Sequence, residues 1–479
     1  MWRNQQQISN FTAPPGLIQS LVITSDPQYP WTDCTEGPPF NNCNISSVSP
    51  CLNVRNEDQS TKERRSEALI REQYNNINSY MNSISGVNGA VLINGDITAF
   101  GHGWQWNKMN SLMNTLNRTY YYGLGNHDIG NTGKPLDCAN NGCFKNSMNN
   151  FINNHIFSAS RRSTVKGVDF RTGTEWNGSI GWRDYERGSF AYILEFGNIH
   201  SIQLQNYPTM RAEAKSFTHA TYIEPNFNWL RDRLIAARNS GKIIIINVHQ
   251  YDALTTEYKD LFKQYGVTAI FSGHIHTSFG YLNSEKPTET PTETPHFRSG
   301  SAMYRTYLIL EQFANRLDTY AVSCNDWRNR CLVNPIFSGQ HQIVTALDNS
   351  SVVTVPGGIP DGNVVLSSNN NASTQRWNFS YDSMKNGYII RSASNTNLVL
   401  AWNAEGNSRN VFATPFVSAY DEHYWALERV NNNEYIFKNK KNPNLVLDVS
   451  NSQTSNGTNI SVHERHALNT TARNQTFLI

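Results

Sequence analysis

The sequence predicts two folded parts, namely layered β-sheets flanked by helices (α/β or α+β) followed by an all-β part. The first prediction rests on helical and strand-like apolar patterns that alternate along most of the chain. The second rests on the loss of helical periodicity after Pro335, where short strands alternate with Asn, Ser and Gly turns. We therefore expect an N-terminal arm at 1–18, a layered domain at 19–335 and an all-β domain at 336–479.

Apolar patterning places the elements of the layered domain. Short apolar runs between turn residues predict strands at 21–23, 90–93, 120–124, 190–196, 199–204, 243–248, 267–271, 307–310 and 317–322. Apolar residues at three- and four-residue spacing predict helices at 63–84, 104–116, 225–237 and 257–264. Residues 27–59 are predicted to form a long loop pinned by disulfides, and 285–295 an exposed low-complexity loop.

A short pattern repeats in the all-β part. Asn-Leu-Val-Leu-Ala at 397–401 recurs as Asn-Leu-Val-Leu-Asp at 444–448, with a fainter copy at 345–348. Each copy is followed by an aromatic closing position. Trp377 follows the copy at 345–348, Trp425 the copy at 397–401 and Phe477 the copy at 444–448. Three similar units predict threefold pseudo-symmetry.

Charge and hydropathy limit the classes of partner. Lys and Arg number 40 against 38 Asp and Glu, so neither nucleic acid nor an anionic membrane is expected as the main partner. Apolar runs such as Ile243 to Ile246 are far shorter than the roughly 18 residues that a membrane span needs.

The seven cysteines fall into three groups: Cys34, Cys43 and Cys51; Cys138 and Cys143; Cys324 and Cys331. Near neighbours of this kind favour disulfides, and the absence of a C-x-x-C pair disfavours a zinc site. We expect bonds within the second and third groups and one free thiol in the first. Disulfides in turn predict a secreted or otherwise extracytoplasmic protein, and no signal peptide is evident at the start of this chain.

Polar motifs follow five of the predicted strands. They are Asp26-Pro27-Gln28, Gly95-Asp96, Gly125-Asn126-His127-Asp128, Val248-His249 and Gly273-His274-Ile275-His276. Ligands of open α/β sheets bind at the carboxyl ends of the strands, and glycine allows sharp turns beside such ligands. A single histidine would be interpreted as part of the core, but the whole series predicts a metal site.

This series resembles the calcineurin-like metallophosphoesterase superfamily over residues 20–325. The family pattern is D-x-H, G-D, G-N-H-D/E, H and G-H-x-H, in this order. The resemblance implies hydrolysis of phosphoric esters at two divalent ions, with Asp26, Gln28 and His276 on the first ion, Asp96 bridging, and Asn126, His249 and His274 on the second. It further implies that His127 faces the substrate and that Asp128 orients its ring.

The ligand set also predicts which ions bind. Two divalent ions bring four positive charges, of which Asp26 and Asp96 remove two, so an anionic phosphate remains attractive. The usual family motif has His where this chain has Gln28, and a carbonyl oxygen is a harder ligand than imidazole. Among Mn, Fe, Mg and Zn we therefore expect Mn or Fe to be favoured over Zn.

The all-β part resembles ricin-type β-trefoil lectin domains, whose repeats end in Q-x-W. The resemblance implies sugar pockets made of an Asp after the Leu, a stacking ring and an Asn-Gln pair. Only the third repeat has all of them, in Asp448, His463, Asn474 and Gln475. The first repeat keeps Asp348 without a ring, and the second has Ala401 instead of Asp. A trefoil that serves only as a spacer or protein-binding module is the alternative.

Two hypotheses for the whole protein follow. The first is a secreted dinuclear-metal phosphatase or phosphodiesterase that a lectin domain targets to glycans. The alternative is a carbohydrate-binding toxin-like protein or adhesin with an inactive phosphoesterase fold. Gln28 favours the alternative, whereas the other ligands and His127 favour the enzyme because an inactive copy would be expected to lose several of them.

Overall fold

The computed structural model describes residues 13–38, 43, 46–129, 142–158, 164–178, 181–282, 294–314, 316–333, 336–337, 339–382, 385, 387–431, 434–466 and 472–479. The described residues form two compact units. One contains residues up to 282 with 295–313 and 318–333, and the other contains 336–479 with 294, 314, 316 and 317. The predicted arm at 1–18 and loop at 285–295 lie largely outside the described residues.

The first unit combines helices with three sheets. Its helices are α1 (Asp33–Glu36), α2 (Gln59–Ser83), α3 (Gly103–Met113), α4 (Asn126–Ile129), α5 (Gly142–Asn149), α6 (Phe227–Asn239) and α7 (Thr256–Gln264). Its strands are β1 (Gln19–Thr24), β2 (Asn88–Asn94), β3 (Tyr120–Gly123), β4 (Val165–Val168), β5 (Arg171–Trp176), β6 (Trp182–Gly188), β7 (Tyr192–Phe196), β8 (Ile199–Gln203), β9 (Ala212–Lys215), β10 (His219–Ile223), β11 (Ile243–Val248), β12 (Val267–Ser272), β13 (Phe279–Leu282), β14 (His296–Ser299), β15 (Tyr307–Gln312), β16 (Arg316–Val322) and β17 (Cys331–Leu332). None of the described helices combines the length and apolar character needed to cross a bilayer.

Two mixed sheets form the layers of this unit, with strand orders β17-β16-β15-β1-β2-β3 and β13-β14-β12-β11-β8-β7-β4. Strands β1, β2 and β3 are parallel neighbours in the first sheet, as are β8, β11, β12 and β14 in the second. All six residues of β1 are buried, which accounts for the uninterrupted Leu21-Val22-Ile23 at its centre. Helix α2 covers this sheet, where Gln73 accepts a 2.8 Å hydrogen bond from Thr24.

The layered fold class is confirmed, and every predicted helix and strand of this unit is present with shifts of a few residues. A third sheet, with order β5-β6-β10-β9, was not predicted. Strands β5 and β6 are half exposed and rich in charge, so they lack the apolar runs from which strands were inferred. Helices α1, α4 and α5 and strands β4, β13, β14 and β17 were missed as well.

The second unit is all-β and resembles β-trefoil lectins. Its strands are β18 (Ile336–Phe337), β19 (Gly339–His341), β20 (Val344–Thr345), β21 (Ser351–Thr354), β22 (Gly362–Asn363), β23 (Val365–Ser368), β24 (Trp377–Asp382), β25 (Gly387–Ser392), β26 (Leu398–Trp402), β27 (Val411–Pro415), β28 (Trp425–Asn431), β29 (Glu434–Asn439), β30 (Leu445–Val449), β31 (Ile460–Glu464) and β32 (Phe477–Leu478). The three closing aromatics are fully buried in one core. Trp377 donates its indole N–H to the Val353 carbonyl at 2.9 Å, and Trp425 does the same to Leu400 at 2.8 Å.

The disulfides correct the predicted pairing. Cys34 bonds Cys51, and Cys43 bonds Cys324, so the predicted Cys324–Cys331 bond and the free thiol in the first group are wrong. Cys331 is free and exposed because the β16–β17 register sets it opposite Ala321, not Cys324. Cys143 is disulfide-bonded, and Cys138, its predicted partner, lies outside the described residues.

Thiol labelling tests this pattern. After denaturation without reductant, we expect one reactive thiol per chain, and Cys331→Ser should abolish it, while Cys43→Ser should expose a second thiol at Cys324. The latter change should also destabilise the chain, since the bond closes a loop of 281 residues and the chain-entropy cost of such closure is about 5 kcal/mol. Labelling that survives Cys331→Ser would contradict the assignment.

Candidate metal centre

The predicted ligands meet where parallel strands end. Asp26 follows β1, Asp96 follows β2 and Asn126 follows β3 in one sheet, whereas His249 follows β11 and His274 follows β12 in the other. Carboxyl ends of parallel strands share one edge, so the topology brings these five loops together.

The backbone of these loops is strained at several of the ligands. Asp26, Gln28, Asp96 and His274 have left-handed φ values of 52°, 44°, 50° and 72°. Non-glycine residues adopt such values at a cost of roughly 1–3 kcal/mol and cluster at functional sites. The strain turns the side chains that follow each strand toward a common centre.

Two glycines allow the loops to approach one another. A Cβ on Gly125 would lie 2.1 Å from Asp96 Oδ1, and one on Gly273 would lie 2.6 Å from Asp26 Oδ2. Both distances are shorter than any van der Waals contact, so neither position accepts another residue without displacing a carboxylate.

Two clusters of metal-binding side chains share Asp96. Asp26, Asp96 and His276 each offer a ligand atom within 4.8 Å of the others, and Asp96, His249 and His274 do the same. Asp26, Asp96 and His249 are completely buried. One carboxylate common to both clusters is the arrangement that a pair of divalent ions requires.

The buried polar atoms at the centre support this interpretation. Among the described residues, both amide atoms of Gln28 are buried and make no hydrogen bond, while the buried Asp96 Oδ2 and Asp26 Oδ1 face ring nitrogens of His249 and His276 at 3.1 and 3.4 Å. Each buried atom without a hydrogen bond costs roughly 1–3 kcal/mol unless something binds it. The donor set therefore fits cations that satisfy these atoms, and Gln28 is as buried as the two carboxylates.

The imidazoles are held with one nitrogen directed at the clusters. His249 Nδ1 lies 2.8 Å from the Asn94 carbonyl, so Nε2 faces Asp96 Oδ2 at 3.1 Å and Asn126 Oδ1 at 3.0 Å. Such outer hydrogen bonds fix the tautomer of metal-binding histidines.

His276 is held similarly by Glu36, a residue that sequence analysis missed. Its Nδ1 lies 3.5 Å from Glu36 Oε2, and its Nε2 lies 3.4 Å from Asp26 Oδ1. Gln250 was missed too; its amide donates to Asn126 Oδ1 at 2.9 Å. Its position directly after His249 was an available signal, whereas Glu36 ends the short helix α1 in a segment without any motif.

Electrostatics at the centre favour cations. Burial lowers the pKa of His249, but the carboxylates of Asp96 and Asp26 outweigh it and raise this pKa to about 9. Burial likewise lowers the pKa of His276, and Asp26 with Glu36 raises it to about 10. Divalent ions that bind such a site displace these protons.

His127 lies at the pocket, but Asp128 does not orient its ring. Both oxygens of Asp128 accept hydrogen bonds from loop donors, namely Ile97 N, Thr98 N, Thr98 Oγ1 and Gly125 N, at 2.7–3.0 Å. The ring nitrogen Nδ1 of His127 instead lies 2.9 Å from the Ala99 carbonyl. The expectation for Asp128 is therefore corrected: it ties the Asp96 loop to the His127 loop.

A cavity of about 360 Å³ opens over the clusters. It is lined by Trp31, Glu36, Asp96, His127, His274, Ile275, His276 and Thr277. The ring centroids of Trp31 and His127 lie 4.8 Å apart, so the indole packs against the ring of the candidate proton donor.

The predicted sugar site also comes together, with one correction. Asn474 and Gln475 donate to Asp448 Oδ2 at 2.8 and 2.9 Å, and His463 is exposed beside them. Gln475 is fully buried, and its side-chain oxygen Oε1 accepts a hydrogen bond from the backbone N–H of His466 at 2.9 Å. Gln475 therefore supports the pocket from behind and does not face a sugar.

The first repeat uses its aspartate differently. Asp348 Oδ1 accepts hydrogen bonds from the backbone of Ser350 and Ser351, both at 2.9 Å, and Oδ2 accepts from Ser351 Oγ at 2.7 Å. The carboxylate closes its own turn and is committed to it.

The family model for calcineurin-like phosphoesterases matches residues 21–278, more than half of the chain, and the chain belongs to this family. Members of this family typically use two divalent metal ions, and the family supports hydrolase activity. A second model, for ricin-type β-trefoil lectin-like domains, matches residues 373–463. The protein thus joins a metallophosphoesterase domain to a ricin B-like lectin domain.

Individual relatives share only part of the chain. Pierisin from Pieris brassicae is 30% identical over 128 residues, which cover 26% of this chain and 14% of pierisin. The main hemagglutinin component type C of the Clostridium botulinum C phage is 32% identical over 102 residues, or 20% of this chain and 33% of that protein. The chain therefore spans no more than a third of the length of these curated relatives.

Solved structures match a similar share. A mosquitocidal holotoxin is 27% identical, with 31% of this chain and 18% of that chain covered and a TM-score of 0.28. ThreeFoil, a designed threefold-symmetric protein, is 19% identical, with 29% of this chain and 96% of ThreeFoil covered and a TM-score of 0.26.

Proposed function

We propose that this protein is a secreted, dinuclear-metal-dependent hydrolase of phosphoric esters that its lectin domain delivers to glycans. The observation that carries the proposal is the pair of ligand clusters that share Asp96, next to the buried amide of Gln28, whose two polar atoms make no hydrogen bond among the described residues. A fold that had lost its ions would be expected to satisfy or replace these atoms.

The ligands for the first ion would be Asp26, Gln28 and His276, with Asp96 shared, and those for the second Asn126, His249 and His274. When bound, two divalent cations supply the positive charge that holds phosphoryl oxygens and activates a water molecule. The Glu36 carboxylate and the Asn94 carbonyl keep the imidazoles of His276 and His249 oriented for this task.

His127 would handle the proton of the leaving group. A hydrogen bond from Nδ1 to the Ala99 carbonyl makes Nε2 the nitrogen that exchanges a proton with a substrate in the cavity. Asp128 positions this residue indirectly, because it joins the two loops that carry Asp96 and His127.

The direct test compares an aryl phosphate monoester with the corresponding diester, each with added Mn²⁺ and with a chelator. We expect metal-dependent hydrolysis of at least one. Absence of turnover with both esters, when Mn²⁺, Fe²⁺, Mg²⁺ and Zn²⁺ are each supplied in turn, would favour the alternative, a carbohydrate-binding toxin-like protein or adhesin with an inactive phosphoesterase fold.

Gln28→His is expected to shift metal preference toward Zn²⁺. Imidazole is a softer ligand than an amide oxygen, so zinc affinity at this site should rise by about tenfold or more relative to Mn²⁺. The measurement is competition between the two ions followed by elemental analysis. Gln453→His, which adds an imidazole at an exposed glutamine of the other unit, is the control. An unchanged Zn/Mn ratio in Gln28→His would remove Gln28 from the ligand set.

The lectin part of the proposal rests on the third repeat. Asp448 Oδ2 is fixed by two amides, which leaves Oδ1 for a ligand hydroxyl, and the exposed His463 ring offers the stacking surface. An imidazole buries less apolar area than an indole, so the affinity should be weak. Disulfides between Cys34 and Cys51 and between Cys43 and Cys324 support export to an oxidising compartment.

Asp448→Ala is expected to abolish glycan retention, measured on a glycan array. Asp348→Ala is the matched control, because that carboxylate is committed to its own turn and should leave retention unchanged. Full retention by Asp448→Ala would place the sugar elsewhere or reduce the domain to a spacer.

A further inference from the structure

The third repeat contains a feature that the lectin proposal does not use. Asp448, His463 and His466 each offer a ligand atom within 4.8 Å of the others. The centroids of the two imidazole rings lie 5.3 Å apart with an interplanar angle of 34°. A sugar pocket needs one ring for stacking, so the second imidazole beside the carboxylate calls for another explanation.

We propose that Asp448, His463 and His466 bind a divalent transition-metal ion of the Zn²⁺, Cu²⁺ or Ni²⁺ class, at a site separate from the phosphoesterase centre. Two imidazoles and one carboxylate suit these ions, whereas Ca²⁺ and Mg²⁺ prefer oxygen ligands throughout. Three protein ligands leave a fourth coordination position free. Because both histidines are exposed, this position would be open to solvent.

One buried amide holds the three ligands in place. Gln475 Nε2 donates to Asp448 Oδ2 at 2.9 Å and to the Glu464 carbonyl at 3.0 Å. Its Oε1 accepts from the backbone N–H of His466 at 2.9 Å. The carboxylate and the segment carrying both imidazoles are thus fixed by a single side chain, which is the supporting role that outer residues have at metal sites.

The remaining contacts favour the metal-binding form of His463. His463 Nδ1 lies 3.0 Å from the Glu464 carbonyl, so Nε2 keeps its lone pair for an ion. Nearby guanidinium groups do not oppose a cation, because Arg409 pairs with Glu464 at 2.7 Å and Arg465 pairs with Glu428 at 2.9 Å.

A bound ion would occupy the carboxylate that a sugar hydroxyl needs. Asp448 can serve one of these ligands at a time, so the metal and a glycan in this repeat would exclude each other. His466 has no part in the proposed sugar contacts. A substitution at His466 therefore removes a metal ligand and leaves the proposed sugar contacts in place.

The test counts zinc in the full-length chain. Wild type, His466→Gln and the control His219→Gln are dialysed against low-micromolar Zn²⁺, and the metal bound per chain is measured by elemental analysis. His219 is a partly exposed histidine whose Nε2 lies 3.3 Å from Glu186 in the phosphoesterase domain. We expect His466→Gln to bind one ion fewer than wild type and the control to match wild type.

The difference of one ion does not depend on how many ions the phosphoesterase centre holds, so it stays informative if the proposed hydrolase activity fails. His463→Gln is the second variant and should lose the same ion, which keeps the test valid if His466→Gln folds poorly. Equal zinc in wild type and both variants, each with wild-type circular dichroism, overturns the proposal.

Discussion

Asp96→Asn is expected to abolish hydrolysis of phosphoric esters and to strip metal from the phosphoesterase centre. Asp96 belongs to both ligand clusters, and its buried Oδ2 faces the ring nitrogen Nε2 of His249, another candidate ligand, at 3.1 Å. Asparagine keeps the shape but removes the charge that two cations share. Turnover should fall by at least about a thousandfold, because several kcal/mol of transition-state stabilisation depend on the bound ions.

Two measurements separate this result from misfolding. Elemental analysis should show that Asp96→Asn loses metal relative to wild type, while Asp232→Asn, at a carboxylate that is 63% exposed on α6, keeps both metal and turnover. Glycan retention by the lectin domain should persist in Asp96→Asn. A variant that keeps its full metal content would refute the bridging role of Asp96.

His127→Gln is expected to reduce turnover by roughly 10²–10⁴-fold, the usual contribution of a general acid. Metal content should be unchanged, because the ring of His127 contacts the Ala99 carbonyl and belongs to neither ligand cluster. The pairing of lost turnover with retained metal distinguishes His127 from Asp96, whose substitution removes both.

The leaving group provides an internal control for His127. A nitrophenolate departs without protonation, whereas an alkoxide needs a proton, so the loss should be much larger for an alkyl phosphate than for the nitrophenyl ester. Equal losses with both substrates would assign His127 to substrate binding and remove it as proton donor.

Some features of the fold could be predicted because they are local. Buried parallel strands such as β11 are continuous apolar runs, and the motif residues follow them directly in the chain. The half-exposed sheet of β5, β6, β9 and β10 escaped prediction, because its charged strands are stabilised by cross-strand pairs such as Arg183 with Glu175 at 2.6 Å.

Patterns in the sequence were enough to indicate the class of protein, the order of its domains and the candidate metal ligands, because each motif occupies a few consecutive positions. Which of these residues meet, and what supports them, became evident only from the three-dimensional contacts. Glu36 reaches His276 from α1, Cys43 bonds Cys324 across 281 residues, and Gln475 lies behind Asp448. These contacts join segments far apart in the chain, and spacing along a sequence carries no information about such distances.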